Sequence, residues 1–193
     1  MITTDDERLN DYARSIRLHG RASGGQDPGD QISILGNDWF LDEIRSVVGL
    51  HQLRHLSAQL AKRRALVEEY LARLRALPAV KALVPEARCQ PSYYKFMVLV
   101  DTAYSGLQLK TVLQERHGID VESLYVPPCH LQPVYRHRFG YRSGMFSVAE
   151  AVLPRQLCLP VHPGLTVADV QFVVSCLAAE MTQAETLLDA TSR

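Results

Sequence analysis

The feature that most constrains this chain is the stretch from Asp42 to Leu77. There Leu56, Leu60, Val67, Tyr70 and Leu74 recur on one face of a helix, while Lys62, Arg63, Arg64, Glu68, Glu69 and Arg73 occupy others. At about 1.5 Å per residue such a helix reaches roughly 50 Å, longer than one compact domain of this size requires. The spacing therefore predicts a helix that bridges two domains. Gly49 is where it can bend, and Pro78 ends it.

Ahead of that helix, Met1 to Thr4 reads as the end of a strand. Thr4-Asp-Asp-Glu7 has the spacing in which a hydroxyl and a carboxylate satisfy each other's free backbone donors. A helix from Asp5 to about Leu18 follows, with Leu9, Tyr12, Ala13 and Ile16 as its apolar stripe and Gly20 as its stop. From Gly20 to Asp30 the glycine-rich polar run cannot pack a core and reads as a mobile loop.

Beyond Pro78 the pattern alternates between strand and helix. Strands are expected near Val80 to Val84, at Tyr93 to Asp101, where Tyr94 faces opposite Tyr93 and Lys95, at Ile119 to Tyr125 and at Leu157 to Leu159. Leu107 to His117 reads as a helix closed by Gly118. Pro127, Pro128, Pro133, Gly140 and Gly144 mark a loop of about twenty residues, longer than a plain connection needs. Ser147-Val-Ala-Glu150 repeats the capping-box spacing ahead of a short helix stopped near Pro154. Thr166 starts a final helix with Val170, Val173, Val174, Leu177 and Met181 on its buried stripe.

Composition excludes several classes of function. Lys+Arg and Asp+Glu are equal at 21 each, so no net field draws the chain to nucleic acid or to an anionic membrane. No apolar run approaches the roughly 20 residues of a membrane-spanning helix. The start of the sequence has neither a basic nor an apolar leader segment, which makes the cytoplasm the expected location. Cys89, Cys129, Cys158 and Cys176 form no C-x-x-C pair and read as buried or incidental thiols, with no metal site expected. A grouping of Cys129, His130 and His162 matches no metal-ligand spacing.

Several short blocks stand in a recognisable order. They are Met1-Ile-Thr-Thr-Asp-Asp, Leu18-His-Gly20, Gly36-Asn-Asp-Trp-Phe-Leu-Asp-Glu43-Ile44 with Gly49-Leu-His-Gln52-Leu53, and Gly118-Ile119. Tyr125-Val-Pro-Pro-Cys-His130-Leu-Gln132-Pro133, Ala149-Glu150 and Leu157-Cys-Leu-Pro160-Val-His162-Pro163 follow. In order and spacing they resemble the C-terminal half of the DegT/DnrJ/StrS family of pyridoxal-phosphate-dependent sugar aminotransferases, from Met1 to about Leu177.

The resemblance implies an α/β chain in three parts: residues 1–40 as a remnant of the large cofactor-binding domain, 41–77 as the linking helix and 78–193 as the small C-terminal domain of a fold-type I enzyme. It also implies pyridoxal phosphate as cofactor, a nucleotide-linked keto-sugar as substrate, an amino-acid donor and a homodimer. The family's Schiff-base lysine precedes the block that Met1 opens. Lys62, Lys81, Lys95 and Lys110 match no family position and read as surface charges, so no catalytic residue is assigned. The expected outcome is a chain inactive alone. The alternative is a non-enzymatic remnant or a dimerising module.

In the family an asparagine after Gly36 reaches the cofactor phosphate of the neighbouring subunit. Asp38 stands at that position, and a carboxylate repels a phosphate where an amide donates a hydrogen bond. Asn37 lies one residue away, and the role stays open between Asn37, Asp38 and neither. Phe40 replaces the family's following arginine, and Trp39 and Phe40 read as packing aromatics. His130 and Tyr125 are similar to positions at the mouth where the sugar nucleotide enters. For both, a structural role stays open beside the substrate-binding one. His162 reads as structural.

Overall fold

The computed structural model describes residues 2–21, 31–101 and 105–191, with side chains to residue 184. It contains helices α1 (Glu7–Arg17), α2 (Glu43–Leu74), α3 (Gly106–His117), α4 (Pro133–Phe139), α5 (Ser147–Val152) and α6 (Val167–Thr191). Its strands are β1 (Val80–Ala82), β2 (Phe96–Val100) and β3 (Gln156–Leu159). Two compact units divide it, Met1–His55 and Leu56–Arg193.

In the N-terminal unit α1 forms where expected but is capped differently. Asp6 Oδ1 accepts the amides of Arg8 and Leu9, and Thr4 Oγ1 accepts that of Asp6. A carboxylate at the cap satisfies two free donors and suits the positive end of the helix dipole, so it outcompetes the Thr4–Glu7 arrangement. Residues 2–4 form no strand. The loop from Gly20 to Asp30 lies, beyond Arg21, outside the described residues. α2 begins where the Asp42 carboxylate accepts the amide of Arg45.

The second unit has the core. Its sheet runs β1-β2-β3, antiparallel throughout, with Val98 opposite Ala82 on one side and Leu157 on the other. Phe96, Val98 and Val100 alternate inward, as a half-buried strand requires, and every residue of β3 is buried. Against them pack Leu66, Val67, Tyr70 and Leu74 of α2, Leu109 and Leu113 of α3, and the expected stripe of α6. Each large apolar side chain buried here contributes about 1.5–3 kcal/mol. The Tyr70 hydroxyl donates to Pro160 O at 3.1 Å, and burial, aided by the charge of Asp169, pushes that phenol well above its ordinary pKa.

Two polar arrangements pin the layers. Arg63 Nη1 donates to the carbonyls of Tyr93 at 3.0 Å and Val161 at 3.2 Å, with a longer contact to Tyr94. Glu180, 2% exposed, accepts from His117 Nε2 at 2.8 Å and from Arg116 Nη1 at 3.0 Å, joining α3 to α6. Gly118 ends α3 with φ +66°, as its position predicts, and Thr166 caps α6 by exchanging hydrogen bonds with Asp169.

Three expectations need correction. The Tyr93–Asp101 strand starts only at Phe96. Tyr93 turns with φ +45° and sets its ring edge-on to Phe96, Tyr94 is exposed, and Lys95 pairs with Glu122. Ile119 to Tyr125 is no strand. Glu122 alone pairs with Cys158, because the Gln156 side chain takes the amide of Leu124 and its carbonyl takes the Ser123 hydroxyl, so the ladder is not continued by backbone. The long loop contains a 3₁₀ turn at Cys129–Leu131 and the helix α4, which Pro133 starts and Gly140 closes with φ +68°.

Candidate functional site

The segment after Glu122 is positioned by what it bonds to. Tyr125 adopts φ +58° and is 64% exposed. The Gln132 amide donates to Pro127 O at 2.9 Å, closing the Pro127–Gln132 turn on itself. Inside that turn His130 is buried, 8% exposed, and its Nε2 lies 3.0 Å from Glu150 Oε1 on α5.

Glu150 organises more than this histidine. It accepts the Ser143 hydroxyl at 2.8 Å, the amide of Gly144 at 2.9 Å and that of Phe146 at 3.2 Å. These bonds, led by those from Gly144 and Ser143, hold its carboxyl down at about 2. An ionised carboxylate only accepts, so the His130 proton sits on Nε2. The Phe146 ring packs on the imidazole with centroids 4.7 Å apart. The Ser147–Glu150 capping box is thus absent: α5 has no side-chain cap, and its glutamate is turned to the loop before it.

Beside this network lies a cavity of about 340 Å³ lined by Tyr125, Pro128, Cys129, His130, Phe146, Ala149 and Leu153. Tyr125 and His130, the two residues expected at a substrate mouth, therefore share one mostly apolar cavity with a polar handle at each. Such a lining suits a small molecule that offers both an apolar face and hydroxyl or phosphate oxygens.

Asn37 and Asp38 belong to the N-terminal unit. Their backbone runs antiparallel to the end of α1: the Asn37 amide donates to Ile16 O at 2.7 Å and His19 donates to Asn37 O at 3.1 Å. Both residues are exposed, and neither side chain makes a hydrogen bond among the described residues. The close approach of Gly36 to Gly20 and His19 permits this, since a Cβ at Gly36 would lie 2.1 Å from Gly20 N.

The remaining candidates fall elsewhere. His162 Nδ1 accepts the amide of Gly164 at 3.2 Å. Cys129 and Cys89 are exposed, Cys158 and Cys176 are buried, and all four are free. Among the described residues no group of three or more His, Cys, Asp or Glu is placed to hold a metal ion. Among them also, no helix is long and apolar enough to cross a membrane.

A family model for DegT/DnrJ/EryC1/StrS aminotransferases matches residues 1–178. The chain belongs to that family. Among its curated relatives is the spore coat polysaccharide biosynthesis protein SpsC of Bacillus subtilis, 26% identical over 187 residues, which cover 92% of this chain and 48% of SpsC. Solved structures give the same picture. The DegT/DnrJ/EryC1/StrS aminotransferase of Brucella abortus is 28% identical with a TM-score of 0.75 over 92% of this chain and 45% of its own. PseC of Helicobacter pylori, an aminotransferase involved in the biosynthesis of pseudoaminic acid, shares the fold at 21% identity and a TM-score of 0.82, over 93% of this chain and 48% of its own. The chain spans about half the length of the relatives it matches.

DegT-family aminotransferases depend on pyridoxal phosphate. The residues lining the Tyr125–His130 cavity do not fit that group, because they include no lysine to hold its aldehyde. Lys62 and Lys81 are exposed, and Lys95 is paired with Glu122.

Glu150 and Phe146 are the residues around the candidate site that the sequence pattern concealed. Glu150 stood in register with a family block, but its S-x-x-E spacing pointed to a helix cap. Its partner His130 lies twenty residues away, beyond the reach of any local pattern.

Proposed function

We propose that this chain is the substrate-side, C-terminal portion of a pyridoxal-phosphate-dependent aminotransferase acting on a nucleotide-linked keto-sugar, in the making of an amino sugar for a surface polysaccharide or a glycosylated product. The single observation that carries the reading is the pairing of Tyr125 and His130 across one cavity, in a chain of this family. Family membership and the naming of SpsC for spore coat polysaccharide biosynthesis support it. On this reading residues 1–40 are large-domain, 41–77 the linking helix and 78–193 the small domain of a fold-type I enzyme, working in the cytoplasm as a homodimer.

His130, with its proton fixed on Nε2 by Glu150, leaves its other ring nitrogen as an acceptor for a sugar hydroxyl. Tyr125 offers a hydroxyl that donates and accepts. Asn37 or Asp38 supplies the polar group that approaches the cofactor phosphate of a second subunit, Asn37 as a donor and Asp38 only with a cation or proton between. The lysine that the family's cofactor chemistry calls for is matched by none of Lys62, Lys81, Lys95 and Lys110.

The test is to combine the chain with a separately expressed lysine-bearing large-domain segment of a family enzyme, pyridoxal phosphate, glutamate and a keto-sugar nucleotide. Amination that needs both pieces, and that falls about tenfold or more in His130→Ala, supports the reading. Amination indifferent to His130→Ala and Tyr125→Phe contradicts the site.

A second reading, an interaction module, is favoured by the exposed apolar run Trp39, Phe40, Leu41, Ile44, Val47 and Val48. Light scattering of the pure chain decides whether that run drives association.

A further inference from the structure

From Ile44 to Val67 the sequence contains no Asp or Glu, and its two histidines, His51 and His55, stand four residues apart within α2. Residues at that spacing lie on one face of a helix, one turn above the other. Both are exposed, and their rings meet with centroids 4.4 Å apart and planes 38° from parallel. One turn of α2 thus presents two imidazoles to solvent.

The hydrogen bonding of the pair decides what it suits. His55 Nδ1 lies 2.8 Å from the carbonyl oxygen of His51. A carbonyl only accepts, so the proton of the neutral His55 ring sits on Nδ1, and Nε2 keeps its lone pair. A metal-ligating imidazole is held in this way: a backbone carbonyl on one nitrogen fixes the tautomer and the ring orientation, and the other nitrogen meets the ion. His51 brings a second imidazole to the same turn.

The surroundings select the ion. Mg²⁺ and Ca²⁺ take oxygen ligands, carboxylates foremost. The nearest carboxylates along α2 are Glu43 and Glu68, about 12 Å or more away along the axis at 1.5 Å per residue. α2 contains no cysteine for an ion that seeks thiolate. Imidazole suits Zn²⁺, Ni²⁺ and Cu²⁺. Arg54, beside His55, adds a positive charge that opposes every cation, so the ion must gain more from nitrogen coordination than it loses to repulsion. Among these ions that gain is largest for Cu²⁺.

We infer that His51 and His55 form a two-imidazole site on α2 for a divalent transition-metal ion, Cu²⁺ ahead of Zn²⁺, with water completing its coordination. The ion clips one turn of the helix, in a stretch where residues 41–55 are all exposed and none is anchored in a core. Because the site needs helical spacing, an ion bound there stabilises the helix over its unfolded form. The inference rests on the geometry of α2 alone and is independent of the proposed function.

The experiment is titration of the untagged 193-residue chain with CuCl₂ and with ZnCl₂ by calorimetry, and with ZnCl₂ and MgCl₂ by NMR. One ion per chain is expected, with Cu²⁺ bound more tightly than Zn²⁺. Zn²⁺ should shift the ring resonances of His51 and His55 and slow amide exchange in residues 51–59, and Mg²⁺ should do neither. His51→Gln and His55→Gln should each weaken binding about tenfold or more, and the double variant little further, because a single imidazole cannot chelate. His137→Gln, at an exposed histidine outside the pair, should leave the affinity unchanged. His51 and His55 are exposed, so their variants should melt with the wild type, and the Zn²⁺ shift map on the unaltered chain stands even where one does not. Zn²⁺ shifts confined to other histidines would overturn the inference. So would single variants that lose half the bound ions at unchanged affinity, as two independent rings require, or a chain that binds neither ion.

Discussion

Glu150 Oε1 accepts a hydrogen bond from His130 Nε2 at 3.0 Å, and the same carboxylate takes the amides of Gly144 and Phe146. One side chain on α5 thus fixes both the proton of a buried imidazole and the course of the loop from Ser143 to Phe146.

The pH dependence of that loop follows from the depressed carboxyl. Its folded value of about 2, against an ordinary 4.5, means that the ionised form is the bonded one. The stabilisation is fully present above about pH 4.5 and is lost as pH falls toward 2. Amide exchange at Gly144 and Phe146 should stay slow near neutrality and quicken through that acid window. In Glu150→Gln it should be faster by roughly five- to tenfold already at pH 6, the equivalent of about one hydrogen bond. Exchange equal in variant and wild type would show that the loop is held otherwise.

Arg63→Met should destabilise the chain by about 1–3 kcal/mol, because the carbonyls of Tyr93 and Val161 lose a charged donor while the methionine keeps most of the volume. Lys62→Met, one residue away and exposed, should stay within about 0.5 kcal/mol. Urea denaturation of the two variants checks the contrast, and equal effects would contradict it.

Two glycines should respond oppositely to alanine. At Gly49, inside α2, an added Cβ meets nothing within 4 Å, so Gly49→Ala should stabilise by about 0.5–1 kcal/mol. At Gly106 it would lie 2.6 Å from Gln156 O and 3.1 Å from Pro154 O, backbone atoms that cannot step aside. Gly106→Ala should cost about 1–3 kcal/mol. Thermal melts that rank the two variants the other way would overturn this description of α2 and the α3–β3 contact.

Much of the fold was legible wherever one local rule had no competitor. The α6 stripe from Val170 to Met181, the Gly118 stop and the Thr166 start each rest on spacing alone, and each stands in the structure. The misreadings occur where a side chain replaces a local pattern. Asp6 outbids Thr4 at the start of α1, Gln156 takes the place of ladder backbone beside Leu124, and Glu150 leaves its helix cap for a histidine twenty residues back. Of the candidate site, Tyr125 and His130 were singled out through the order of the surrounding blocks, and the structure places both at one cavity. The carboxylate that orients His130 was not, since only the fold brings it there.

In the N-terminal unit Ile2, Leu9, Tyr12, Ile32 and Leu35 are all exposed, from 46% to 97%. Apolar faces left uncovered give little resistance to local opening. Hydrogen exchange should therefore find Ile2 to Ile16 among the least protected segments of the isolated chain, and strong protection there would contradict the reading of residues 1–40 as part of a larger domain.

We propose that this chain supplies the substrate side of an aminotransferase and that none of Lys62, Lys81, Lys95 and Lys110 serves as its nucleophile. Borohydride reduction of the pure chain after incubation with pyridoxal phosphate, followed by peptide mapping, tests it most directly. The account predicts scattered, substoichiometric labelling of surface amines and no glutamate-dependent amination of a keto-sugar nucleotide. A single stoichiometric adduct on Lys62, Lys81, Lys95 or Lys110, together with such turnover, would contradict it.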